Sequence, residues 1–228
     1  MKTEDYSNEQ QGDLDRAKKI EERKAQTEKR LSQIIAIEKE GLTEWLSKGY
    51  PEVETLSDIM NLKKRLTGEQ INFLLTWIPK IDNSVGSQER LVRALILADK
   101  PFDGSVLTKL FDDPNSSFYL KWAIGNTIAS AKVLNITQWL RAKFESITLG
   151  KEKEMLVYAL GQYLDTEEAR NYLVKIYDYY PLHAAETLAK IGGREDLDFL
   201  VNMLARYKGQ GRGSINKSIK KLEKKLLK

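Results

Sequence analysis

The chain reads as an all-α protein built from stacked antiparallel helical hairpins, and three observations predict it. An apolar group recurs at i, i+3 and i+4, a second apolar pair follows each group at a fixed distance, and no strand-like alternation of useful length intervenes. The groups are Leu91, Ala94 and Leu95; Leu120, Ala123 and Ile124; Leu156, Ala159 and Leu160; and Ala184, Thr187 and Leu188. Residues so spaced share one helix face, so each group predicts a buried stripe. At 12 and 16 residues past the last member of each group stand Leu107 and Phe111, Ile136 and Leu140, Tyr172 and Ile176, and Leu200 and Leu204. The spacing within the unit is constant, whereas successive units start 29, 36 and 28 residues apart. Stacked hairpins require this combination, because length changes fall in the connecting loops.

The breaks agree with the hairpins. Asp112-Asp113-Pro114-Asn115 ends one second helix, since proline cannot continue it and disfavours helix in the residue before it. Thr166, ahead of Glu168 and Ala169, has the form of a helix N-cap. Gly192-Gly193 closes a helix ending at Ile191.

Two stretches, LFDDPNSSFYLKWAIGNTIA and HAAETLAKIGGREDLDFLVNML, resemble HEAT repeats: an Asp-Pro-Asn turn before a first helix, an Ala-Leu pair within it, and a Gly-containing turn before a Leu-rich second helix. The resemblance covers about residues 88–207, four units, and implies a right-handed α-solenoid. The unit centred on Ile136 departs from it, with Ser130-Ala131-Lys132 between its helices and a longer connection, Ile147-Thr148-Leu149-Gly150, after them. HEAT repeats specify a fold and no activity, so no catalytic residue is carried over.

Four segments follow from this reading. Residues 1–40 form a charged arm, helical from about Asp13 to Glu40 and frayed before that, where apolar residues are sparse apart from Leu14, Ala17 and Ile20. Residues 41–87 form a helical cap or degenerate repeat, with helices at Pro51–Leu66 and Glu69–Ile81 and a loop at Asp82–Ser87. Residues 88–207 hold the four repeats. Residues 208–228 hold a Gly-rich hinge and a basic capping helix, Ser214–Lys228, whose Ile215, Ile219, Leu222 and Leu226 dock on the last repeat. The heptad pattern of the arm is not sustained, so the chain is expected to be a monomer, or a dimer through that arm.

Composition excludes several classes. No run approaches the roughly 20 apolar residues that cross a bilayer, and the N-terminus lacks the apolar centre of a signal peptide. With no cysteine there is neither a disulfide framework nor thiolate chemistry, which suits the cytoplasm. The net charge of +4 is uneven. From Ala205 onward nine Lys/Arg face one acid, Glu223, giving +8, while the remaining 28 Lys/Arg and 32 Asp/Glu give −4.

No catalytic set assembles. His183, the one histidine, follows Tyr179-Tyr180-Pro181 at a helix start and has no second histidine or cysteine with which to hold a metal. Gly209-Gln210-Gly211-Arg212-Gly213-Ser214 looks like a phosphate loop, but follows a helix rather than a strand and reads as a hinge. No cofactor or metal is expected.

Binding is the remaining expectation. The positions of the second helices that point away from the buried stripe are Lys109, Asp112, Asp113, Asn135, Gln138, Arg141, Arg170, Asn171, Asp178, Asp198, Asn202 and Arg206. The HEAT resemblance places them on the concave face. Four are cationic and four anionic, a balance that favours a protein or peptide partner over duplex nucleic acid. Within this set Lys109, Gln138, Arg141, Arg170, Asn171, Asn202 and Arg206 are the binding candidates, with Tyr177 beside them as an apolar anchor. The tail lysines Lys217, Lys220, Lys221, Lys224 and Lys225 read as a solvated face. The alternative is a nucleic-acid-binding protein, resembling the HEAT-like DNA glycosylases, for which the basic tail, Trp139 and Tyr177 speak.

Overall fold

The computed structural model describes residues 3–82, 86–146 and 148–227, so the centre of the expected Asp82–Ser87 loop and Ile147 of the long connection lie outside the described residues. The chain divides into two compact units, Met1–Leu56 and Ser57–Lys228.

In the first unit one helix, α1, runs Thr3–Ser47, longer at both ends than the charge pattern suggests. It stops where Gly49 takes a left-handed conformation (φ 68°). Past the stop the chain is anchored by Trp45, fully buried, whose indole Nε1 donates to the Pro51 carbonyl at 2.7 Å and whose ring meets Tyr50 edge-on. Arg16 and every residue from Lys18 to Gln33 are exposed.

Among its described residues the second unit is mainly helical, with two very short strands. The α-helix expected over Pro51–Leu66, a segment that begins in the first unit and ends in the second, is absent; the segment holds a 3₁₀ turn, Leu56–Asn61, and then irregular chain bent at Lys63 and Lys64. Leu56, Ile59 and Leu62 recur every three residues, the period of a 3₁₀ turn and not of an α-helix. Leu66 then forms an isolated parallel bridge with Ala98. Helix α2, Gly68–Trp77, starts with a capping box in which Thr67 and Gln70 satisfy each other's backbone N–H groups.

The segment expected to hold the four repeats contains α3 (Ser87–Ala94), α4 (Ser105–Asp112), α5 (Phe118–Ser130), α6 (Thr137–Glu145), α7 (Leu156–Tyr163), α8 (Thr166–Lys175), α9 (Pro181–Ile191) and α10 (Arg194–Arg206), and α11 (Arg212–Leu226) follows it. The first helices pack in series, α3 on α5, α5 on α7, α7 on α9 and α9 on α11. The second helices flank this row: α4 packs on α5, α6 on α7, α8 on α7 and α9, α10 on α9 and α11. All twelve residues of the predicted stripe, from Leu91 to Leu188, are buried at the centre of the row. Each leucine there contributes about 1.5–3 kcal/mol by leaving water. Gly161 lets α7 approach α9 closely, since a Cβ at that position would stand 2.7 Å from Thr187 Cγ2 and 3.1 Å from Ile191 Cγ2.

The second helices keep most of the predicted register. Leu107, Phe111, Ile136, Leu140, Ile176 and Leu200 are buried, but Leu204, in the last turn of α10, and Tyr172 are half-exposed, and the interior of α8 is Ala169 and Leu173. Helix α8 begins three residues after α7 ends, so it enters the core earlier than α4 or α6 do. Its N-cap is Asp165, which accepts from the Glu168 N–H at 2.9 Å, and not Thr166. The loops between hairpin helices also touch. Strand β1 (Phe102–Asp103) pairs in parallel with β2 (Val133–Leu134), Phe102 opposite Val133. Asn135, left-handed at φ 60°, donates to Asp103 across that join at 2.6 Å.

Helix C-termini are finished by side chains from later in the chain. The Ile128 and Ala131 carbonyls at the end of α5 accept from the Tyr163 hydroxyl at 3.0 and 2.8 Å. The Lys143 carbonyl of α6 accepts from the buried Lys153 ammonium at 2.7 Å, and the Lys190 and Gly192 carbonyls of α9 from Lys225 at 2.9 Å each. Arg212 serves the Leu204 and Tyr207 carbonyls after α10. These donors satisfy acceptors that a helix end leaves without intrahelical partners.

Candidate functional site

Successive second helices carry side chains that reach one another across the gaps between hairpins. Asp112 of α4 forms an ion pair with Lys143 of α6, and the Trp139 indole donates to the same carboxylate at 2.9 Å. Arg141 of α6 makes a two-pronged contact with Glu168 of α8, Nε to Oε1 at 2.6 Å and Nη2 to Oε2 at 2.8 Å. The Tyr172 hydroxyl of α8 donates to Glu145 of α6 at 3.3 Å. Arg170 of α8 closes the series on α10, donating to Asp196 at 2.7 Å and to Glu195 at 3.0 Å. The pairing raises the affinity of both arginines for their protons and lowers that of Glu168, through the hydrogen bonds first.

This lacing sorts the twelve expected surface residues. Arg141 and Arg170 are half-exposed and engaged with carboxylates of the next helix. Asp112 is engaged the same way, and Asn135 is held by Asp103. Asp113 instead turns back on its own loop, accepting from Asn115 N–H. Lys109, Gln138, Asn171, Asp178, Asp198, Asn202 and Arg206 are exposed. Among the described residues neither Lys109 nor Arg206 makes an ion pair.

Tyr177 does not stand as a surface anchor. It is 2% exposed, its ring packs edge-on against Phe199 of α10 at 5.2 Å, and burial pushes its hydroxyl up to about 12. That hydroxyl has no partner among the described residues. The residue lines, with Met203, Arg206 and Tyr207, a cavity of about 240 Å³. Apolar positions that are exposed on these helices were not singled out by periodicity: Val174 (43%) and Val201 (48%), with Tyr179 (65%) just past α8. Stripe analysis looks for what is buried, so an exposed valine beside the stripe leaves no signal.

His183 lies at the start of α9 in a polar cluster. Its ring meets Tyr158 of α7 edge-on at 5.0 Å, and Nδ1 is 3.5 Å from Glu154. The Tyr158 hydroxyl donates to Glu186 of α9. Burial lowers the imidazole's affinity for a proton, against the pull of Glu154 and Glu186. This cluster and Ser214, Lys217, Ser218 and Lys221 of α11 border a cavity of about 350 Å³. Among the described residues no three His, Asp or Glu side chains are grouped to hold a metal ion.

The tail lysines separate by the helix face they occupy. Ile215, Ser218, Ile219 and Leu222 bury one side of α11, while Leu226, expected on that side, is exposed in the last turn; Lys217, Lys220, Lys221 and Lys224 are exposed. Lys225 is committed to the end of α9. No helix among the described residues is long and apolar enough to cross a membrane.

No family model, no curated protein and no solved structure matches this chain.

Proposed function

We propose that the second unit is a HEAT-like right-handed α-solenoid that serves as a non-enzymatic scaffold, holding a protein or peptide partner on the face of its second helices. The observation that carries this reading is the lacing of α4, α6, α8 and α10 by Asp112–Lys143, Arg141–Glu168 and Arg170–Asp196. Charged groups that would otherwise compete for solvent are spent on holding the helices in register. Beside charged residues such as Lys109, Asp198 and Arg206, these helices also expose Val174, Val201 and the amides of Gln138, Asn171 and Asn202. Amide side chains offer both a donor and an acceptor, which suits the backbone of a peptide segment, and the valines supply apolar contact. A protein surface preset in this way loses little entropy on binding. We place this scaffold in the cytoplasm, on its lack of cysteine.

The test is capture from the source cell followed by variants. Val174→Asp with Val201→Asp should abolish recovery of the partner while leaving the melting temperature unchanged, since both side chains are exposed. Neutralising Lys217, Lys220, Lys221 and Lys224 should leave recovery intact at physiological salt. Recovery of nucleic acid alone, lost on neutralising those lysines and falling steeply with salt, would replace the scaffold reading by the nucleic-acid one.

A further inference from the structure

The N-terminal helix has a feature that the scaffold does not use. Helix α1 is 45 residues long, roughly 70 Å at its rise per residue. From Lys18 to Gln33 every residue is exposed, so this stretch draws no stability from packing within the chain. Most helices in water take their stability from a packed face, and this one includes the exposed apolar residue Ile20 (48%).

Its charges are segregated. Residues 1–15 carry Lys2 against Glu4, Asp5, Glu9, Asp13 and Asp15, a net −4. Residues 16–30 carry seven Lys/Arg against Glu21, Glu22 and Glu28, a net +4. Two blocks of opposite charge, adjacent along α1 between Thr3 and Arg30, match each other only when two such helices run in opposite directions. A parallel pair would set acid against acid and base against base. An antiparallel pair centred between Asp15 and Arg16 sets each acidic block along a basic one, and it brings the exposed Ile20 of both chains near the middle of the seam.

We infer that α1 is a self-association element, pairing antiparallel with α1 of a second copy of this chain about an axis near residues 15 and 16. The few apolar residues in the seam make the attraction mainly electrostatic, so the dimer is strengthened at low ionic strength and weakened by salt. The inference is independent of the binding face on α4–α10, and the Val174 and Val201 substitutions leave it untouched.

Light scattering on the full chain tests it, with charge-reversed variants as partners. At about 0.01 M salt the parent should have twice the chain mass, and at about 1 M salt, where charges are screened within about 3 Å, the mass of one chain. A basic variant (Glu4→Lys, Asp5→Lys, Glu9→Lys and Asp13→Lys) and an acidic variant (Lys18→Glu, Lys19→Glu, Arg23→Glu and Lys24→Glu) should each be monomeric alone and dimeric when mixed. Direction is read by disulfide trapping, clean in a chain with no cysteine of its own. Arg16→Cys should cross-link to itself, whereas Lys29→Cys should not. A parent that stays monomeric at low salt, a dimer that survives removal of residues 1–30, or self-cross-linking through Lys29→Cys as readily as through Arg16→Cys, would each overturn the proposal.

Discussion

Arg170 and Asp196 form an ion pair of unequal partners: the guanidinium is about one-third exposed, while the carboxylate it meets at 2.7 Å is 1% exposed and also accepts the Gly193 N–H that opens α10. Removing the arginine strands a buried charge, for which only the Gly193 contact remains. Arg170→Ala is therefore expected to lower stability by about 1–2 kcal/mol, a shift of several degrees in the melting temperature. Arg141→Ala, which frees the more accessible Glu168, should shift it less. Equal shifts, measured by thermal melts side by side, would mean that the carboxylate at 196 gains no more from its arginine than an exposed one does.

Lys225 and Lys220 offer a second contrast, within one helix. Lys225→Ala withdraws the donor to the Lys190 and Gly192 carbonyls and should cost about 1 kcal/mol. Lys220→Ala should lie within about 0.5 kcal/mol of the parent. Urea titrations of the two variants settle the order.

Ala123 is fully buried on α5, the helix that packs on both α3 and α7. Ala123→Asp places an unpaired carboxylate in that interior and should unfold the second unit or cost about 4 kcal/mol or more. A far-UV melt that matches the parent would mean that this face of α5 is not interior.

Gly161→Val should destabilise by about 2 kcal/mol, because the new side chain meets Thr187 and Ile191 across the α7–α9 contact. The double change Gly161→Val with Ile191→Ala should recover part of the loss; no recovery would place the strain elsewhere.

His183 makes the pH dependence assignable to one group. Its folded affinity for a proton is lowered below the ordinary value near 6.5 by burial. Below that value the unfolded chain binds a proton that the folded chain refuses, so stability falls as pH drops from about 7.5 through 6.5 and levels off below the folded pKa. In His183→Gln this component is absent. Parent and variant melts between about pH 8 and 5 should converge or cross as the pH is lowered; parallel curves would mean that the ring titrates alike in both states.

The core of the repeat was legible in the sequence because burial there depends on spacing along one helix. Leu120, Ala123 and Ile124 are interior for the same reason that Leu156, Ala159 and Leu160 are. The slip at Tyr172 and the wrong cap at Thr166 have one cause, a connection after α7 too short for the spacing of the other hairpins. The α-helix expected over Pro51–Leu66 is not formed, and Leu56, Ile59 and Leu62 there keep a three-residue period that fits the start of an α-helical stripe as well as a 3₁₀ turn. The pairing of Arg141 with Glu168 lies 27 residues apart. It depends on which way two long side chains extend across a gap between helices, and no local pattern encodes that. The same holds for Tyr177, whose ring packs against Phe199 of α10.

The origin of the donors that finish each helix has a consequence for synthesis. Tyr163 serves α5, Lys153 serves α6, Arg212 serves α10 and Lys225 serves α9, and in every case the donor is made after the acceptor. A chain leaving the ribosome thus presents α5, α6, α9 and α10 with open carbonyls until the following segment emerges. The final piece, α11, completes both α9 and α10. A nascent chain halted before Arg212 would expose two unfinished helix ends together with the apolar surface that Ile215, Ile219 and Leu222 cover, and would be the species most exposed to proteases and chaperones.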